Sequence, residues 1–212
     1  MVLIRRAPAR PLIAAGWFPR WLKPLVFLLA LSPLLWFVLR LGLLRPGDPV
    51  AVNPIETAIR FSGDQALTLL LVSLAVSPLR RLTGWAGVMR LRRMLGLFAF
   101  FYAAVHLLIY AGVDQFFDWA VIWADVLKRC YITVGMVAVV ILLALAVTSP
   151  KGMVRRLGGR WWKRLHALVY LAAPLGVLHY AMMVKADLRT PLLYAGILAV
   201  LLLLRLPVPL RR

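Results

Sequence analysis

His106, His166 and His179 are the chain's three histidines, and each lies in or at the edge of a long apolar stretch. An imidazole gains little from lipid and suits chemistry: neutral, it ligates metals, and near neutral pH it carries protons. Other site chemistries leave no trace. The sequence has no HExxH for zinc, no GxSxG for a serine nucleophile, no GxGxxG and no Walker loop for nucleotides. Its single cysteine, Cys130, cannot form an internal disulfide or a cysteine-rich metal site, and reads as a small buried hydrophobe.

The elements that must position these histidines are membrane helices. The 212 residues are 63% hydrophobic, with a mean hydropathy of +0.88. That is well above the roughly 45–50% of average soluble domains. Six apolar runs approach the length needed to cross about 30 Å of hydrocarbon, at residues 22–44, 64–79, 94–112, 131–149, 165–184 and 190–206. Only helices and closed barrels satisfy the backbone in lipid, and the strict alternation of barrel strands is absent. The expected fold is therefore an all-α integral membrane protein, a six-transmembrane-helix bundle over residues 22–206. Short basic tails flank it at 1–21 and 207–212. The polar "NPIETAIRFSGDQ" before the second run reads as a short interfacial helix. The N-terminal stretch lacks a clear h-region and cleavage site and reads as a retained tail.

Charge orients the bundle. Arg5, Arg6, Arg10, Arg20 and Lys23 precede the first helix. Arg80, Arg81, Arg90, Arg92 and Arg93 lie between the second and third, and Lys151, Arg155, Arg156, Arg160, Lys163 and Arg164 between the fourth and fifth. Arg205, Arg211 and Arg212 follow the sixth. Nineteen of the 26 Lys and Arg residues thus share one face. The other face takes Arg40, Arg45, Arg60, Lys128, Arg129, Lys185 and Arg189 with all seven acids, Asp48, Glu56, Asp64, Asp114, Asp118, Asp125 and Asp187. By the positive-inside rule the basic face, with both termini, is cytoplasmic. Its charge attracts anionic lipid headgroups and requires no nucleic-acid partner. No acid is expected inside a span, which disfavours a carboxylate proton relay.

Depth then pairs two of the histidines. His106 is twelve residues past Met94, roughly 18 Å of helical rise. His179 is fourteen residues past Leu165, roughly 21 Å. Both helices run outward, so the two imidazoles share a level in the outer half, while His166 stays near the cytoplasmic face. Two imidazoles at one depth can offer their nitrogens to the iron of a heme standing between the helices. Small residues (Ala103, Ala104, Ala172, Ala173, Gly176) leave room for a flat macrocycle, and Phe98, Tyr102 and Tyr110 flank it. Three other readings stay open: interhelical packing glue, a His-dependent proton or metal transporter, and a passive membrane anchor for a redox partner. In an ideal helix His166 and His179 would stand roughly 220° apart, although Pro174 between them could kink the helix.

The stretches "RRMLGLFAFFYAAVHLLIY" (92–110), "KRCYITVGM" (128–136) and "LAVTSPKGMVRRLGGRWWKRLHALVYL" (145–171), together with His179, carry a resemblance. They resemble the heme-binding membrane subunits of bacterial periplasmic protein-methionine-sulfoxide reductase systems, within the ferric-reductase-like transmembrane superfamily, from about Trp17 to Leu204. The resemblance implies six helices in the inner membrane with heme b, and matches the family's histidines to His106, His166 and His179. Larger superfamily members hold a second heme with another histidine on the third helix, where this chain has Arg92 and Arg93. His166 would therefore hold a second heme only with a non-His partner. The resemblance further implies electrons taken from the quinone pool, with FMN assigned to the family, and passed to a periplasmic molybdopterin-containing reductase that repairs oxidised methionine. Basic, aromatic "GGRWWKRLH" (158–166) is the candidate for holding a flavin phosphate, and Asp114, Asp118 and Asp125 are the candidates for orienting the reductase.

Overall fold

The structure, a computed structural model, describes residues 18–43, 48–184 and 187–205. Among them the chain is helical, with α1 (Leu22–Gly42), α2 (Pro49–Val52), α3 (Pro54–Thr83), α4 (Met89–Leu108), α5 (Trp119–Lys128), α6 (Cys130–Val147), α7 (Lys151–Leu157), α8 (Gly159–His166), α9 (Val169–Met183) and α10 (Arg189–Leu203). Arg5, Arg6, Arg10, Arg45, Lys185, Arg211 and Arg212 fall outside the described residues, as does most of each expected tail.

Five helical stretches are long and apolar enough to cross a membrane: Leu22–Gly42, Pro54–Thr83, Ala86–Asp114, Cys130–Val147 and Gly159–Met183. The sixth expected span, α10, is an apolar helix of 15 residues. Large apolar side chains point outward along these helices. Leu28 on α1 is 61% exposed and Leu192 on α10 is 65% exposed, as a lipid-facing surface requires.

The second span begins earlier than its hydropathy suggests. Asn53 caps α3: its side chain accepts from the Glu56 N–H at 3.1 Å and donates to the Glu56 carboxylate at 2.9 Å. Pro54 occupies the first turn, where a missing N–H costs nothing. The polar stretch expected as a separate interfacial helix is therefore the opening of α3. Asp64, expected outside the spans, lies within that same helix. Gly84, at φ 72°, ends α3 by returning its N–H to the Arg80 carbonyl, a conformation open to glycine at low cost.

Helix α4 packs chiefly on α3, and α6 on α9; α4 also meets α6, and α3 meets α9. α10 closes against α9 and α3, while α1 lies against α4 and α3. The core between α3 and α9 is made by Leu67, Leu70, Leu71 and Leu74 with Ala172 and Ala173. Those alanines, read from sequence as space for a macrocycle, instead let α9 approach α3. Phe98 and Tyr102 also serve packing: they face Ala30 of α1. Pro33 removes one donor from the ladder of α1. The Leu29 carbonyl it leaves accepts from the Ser32 hydroxyl at 3.1 Å, and the Tyr102 hydroxyl donates to the Ala30 carbonyl at 2.9 Å and accepts from the Leu34 N–H at 3.2 Å. Tyr102 is fully buried, so this pairing spares two backbone groups a desolvation penalty of about 1–3 kcal/mol each.

Candidate functional site

A backbone carbonyl only accepts hydrogen bonds, and this fixes the chemistry of two histidines. His106 Nδ1 lies 2.8 Å from the Ile59 carbonyl oxygen of α3, and His179 Nδ1 lies 2.7 Å from that of Tyr131 in α6. Each Nδ1 must therefore carry the proton and donate, which leaves Nε2 with its lone pair free. A histidine that ligates a metal is commonly held in this way, its other ring nitrogen donating to a carbonyl or carboxylate.

Both carbonyls are exposed by a glycine one turn further along. Ile59 precedes Gly63 by four residues, and Tyr131 precedes Gly135 by four. A Cβ at Gly63 would lie 3.1 Å from His106 Nδ1, and one at Gly135 only 2.8 Å from His179 Nδ1. Each imidazole sits in the space a side chain would fill. The sequence held one signal for these seats, namely single glycines inside helical segments. Beyond His106 the helix widens into a π-turn at Ile109–Asp114, a feature often found at functional sites.

The two rings face each other across the bundle, with centres 6.1 Å apart and planes 86° from parallel. Two imidazoles each bound to one metal at about 2 Å hold ring centres roughly 6 Å apart. No third His, Cys, Asp or Glu joins them in a metal-binding group among the described residues. A bare transition ion ordinarily takes three or four protein ligands, whereas iron already held by a porphyrin needs only axial ones. This donor set fits a heme.

Residues 62–177 match the family model described as "Ferric reductase like transmembrane component". The chain is also 57% identical over 187 residues to the protein-methionine-sulfoxide reductase heme-binding subunit MsrQ of Rhodospirillum rubrum, covering 88% of each chain. It is 47% identical over 181 residues to the MsrQ of Caulobacter vibrioides, covering 85% of this chain and 84% of that one. With the MsrQ of Herminiimonas arsenicoxydans it shares 48% identity over 186 residues, covering 87% and 84%. The chain belongs to the MsrQ family. It is a multi-pass protein of the bacterial inner membrane, in keeping with its long apolar helices and its bacterial relatives.

Of the three histidines, the structure brings His106 and His179 together and leaves His166 apart. His166 ends α8, and a turn separates it from α9, so the ideal-helix angle between His166 and His179 does not apply. Its Nε2 is 3.1 Å from the Thr148 hydroxyl, and its ring stacks on Trp162 with centres 4.0 Å apart. The Trp162 indole donates to the Thr148 carbonyl at 3.0 Å. His166 and Trp162 line a cavity of about 500 Å³ with Arg92, Arg93, Lys163 and Tyr170. Arg93 is fixed there by the Ser149 hydroxyl at 3.0 Å. Trp161, in contrast, is exposed and stacked under Arg164.

At the opposite end, two of the three acids expected to orient a partner serve local structure. Asp118 caps α5, accepting from the N–H groups of Ala120 and Val121. Asp125 pairs with Arg129 at 3.0 Å and accepts from the Tyr110 hydroxyl at 3.2 Å. Asp125 and the Tyr131 hydroxyl together push the Arg129 pKa further up, the Tyr131 hydrogen bond contributing most. Only Asp114 keeps an exposed carboxylate without a structural role beyond its contact with Gln115. Cys130, expected to be buried, is exposed at the start of α6.

Proposed function

We propose that this chain is a heme b electron carrier, with His106 and His179 as the axial ligands of one heme. The observation that carries the reading is the pair itself: two rings 6.1 Å apart, each with Nδ1 tied to a carbonyl and Nε2 free. A bound heme would supply one-electron chemistry. The protein's part would be to hold the two imidazoles facing each other, fix their tautomer through Ile59 and Tyr131, and enclose them between helices.

The reading places six helices in one domain over residues 22–206, with both termini in the cytoplasm. Among the described basic residues, Arg80, Arg81, Arg90, Arg92, Arg93, Lys151, Arg155, Arg156, Arg160, Lys163 and Arg164 gather at the helix ends on that side. Reporter fusions after Arg81 and after Gly158 are expected to read cytoplasmic, and fusions near Asp118 periplasmic. The reverse pattern would invert the bundle and put the histidine pair in the inner leaflet.

Electrons then enter on the basic side from the quinone pool, with FMN as an intermediary. The cavity beside His166 suits an anionic, ring-bearing group through Arg92, Arg93, Lys163 and Trp162. A second heme at His166 would require its Nε2 to leave Thr148, with a partner other than histidine across from it. Electrons leave toward a periplasmic molybdopterin-containing reductase; this chain's relatives are named as heme-binding subunits of a protein-methionine-sulfoxide reductase. Encounters of this redox type bury small surfaces. The test is stopped-flow mixing of the dithionite-reduced protein with that reductase and its oxidised substrate. Heme reoxidation is expected only when both are present, and a heme that stays reduced would remove the electron-carrier role.

A further inference from the structure

A polar stripe enters the membrane along one face of α3. Glu56, Arg60, Asp64 and Thr68 follow one another at four-residue intervals, the spacing that aligns side chains on a helix. Glu56 and Arg60 pair at 2.7 Å near the helix start and are well exposed. Asp64 lies one turn deeper and is half-buried. Asp64 lies within electrostatic reach of Tyr180 on α9 and of Arg60. Tyr180 packs against Tyr194, whose hydroxyl is 2.8 Å from that of Thr68.

The position of Asp64 sets it apart from the other acids. It follows Gly63, the seat of His106, and Tyr180 follows His179. Asp64 on α3 and Tyr180 on α9 therefore both stand at the level of the histidine pair. An ionisable group at that depth is costly and is ordinarily retained for function. Resting on the heme reading above, we infer that Asp64 sets the redox potential of the group held by His106 and His179. Oxidised iron carries one more positive charge than reduced iron, so a nearby carboxylate favours the oxidised state. No atom moves in this effect, and the electron comes from the donor. Arg60, the cation on the same stripe, offsets the carboxylate's charge.

The test uses the full chain in detergent, with heme content measured beside a spectroscopic redox titration. Asp64→Asn removes the charge. It is expected to retain heme and to shift the midpoint upward. Two unit charges about 10 Å apart at an effective dielectric of about 20 change such an equilibrium on the order of tenfold, read here as a lower ferric-to-ferrous ratio at fixed potential. Asp64→Glu is expected to titrate near the unmodified protein, and Arg60→Gln to shift downward. Full heme content with an unmoved midpoint in Asp64→Asn would overturn the inference, as would equal shifts in Asp64→Asn and Asp64→Glu. Should Asp64→Asn lose its heme, Arg60→Gln decides: a downward shift supports the inference and no shift overturns it. An unmodified chain without heme would overturn the heme reading, and this inference with it.

Discussion

His106→Ala and His179→Ala are each expected to lose most of the bound heme, while His166→Ala keeps the heme between α4 and α9 near its unmodified content. The reason lies in the free nitrogens. With Nδ1 committed to Ile59 or Tyr131, the Nε2 of each ring is the atom left to ligate. Deleting one ring removes one of the two ligating nitrogens. His166 is occupied elsewhere, between Thr148 and Trp162. Pyridine hemochrome assays on the three purified variants measure this directly. If the pair were only packing glue, both alanine variants would keep their heme and lose about 1–2 kcal/mol of interhelical hydrogen bonding at most.

Gly135→Ala is expected to lower heme affinity by about 10–100-fold, the range seen when an outer partner of a metal-ligating histidine is disturbed. The added methyl would come within 2.8 Å of His179 Nδ1, on the same side as the Tyr131 carbonyl that holds the ring. The ring must move, and the helix backbone of α6 cannot yield to it. Gly63→Ala is expected to do the same more weakly, because its methyl would meet His106 at 3.1 Å. Gly196→Ala on α10, where a Cβ meets nothing within 4 Å, is the control and should bind heme normally. Heme titration of the three apoproteins, followed by absorbance, ranks them. Equal affinity in Gly135→Ala and Gly196→Ala would mean that His179 does not need its seat.

Much of this was legible in the sequence because membrane helices announce themselves by hydropathy and charge. The depth of His106 and of His179 followed from counting rise along two helices, and the structure brings those two rings together. What periodicity could not reveal was which way each neighbour faces. Tyr102 and Phe98 are on the helix of His106 but serve α1, where Phe98 packs with Ala30 and the Tyr102 hydroxyl bonds the Ala30 carbonyl and the Leu34 N–H. Ala172 and Ala173 read as room for a cofactor and proved to be a helix contact. The polar start of α3 broke the hydropathy run, so the span was read from residue 64 and Gly63 fell outside it. The carbonyl partners were invisible in principle, since every residue has a carbonyl and only the missing Cβ at the next turn marks which ones are open.

The most direct test of the central claim is the low-temperature EPR spectrum of the oxidised, unmodified protein. Two imidazoles on one ferric iron with ring planes 86° apart are expected to give a low-spin signal of the highly anisotropic kind, which disappears in His106→Ala and in His179→Ala. A high-spin ferric signal from the unmodified protein, or no heme signal at all, would contradict the account.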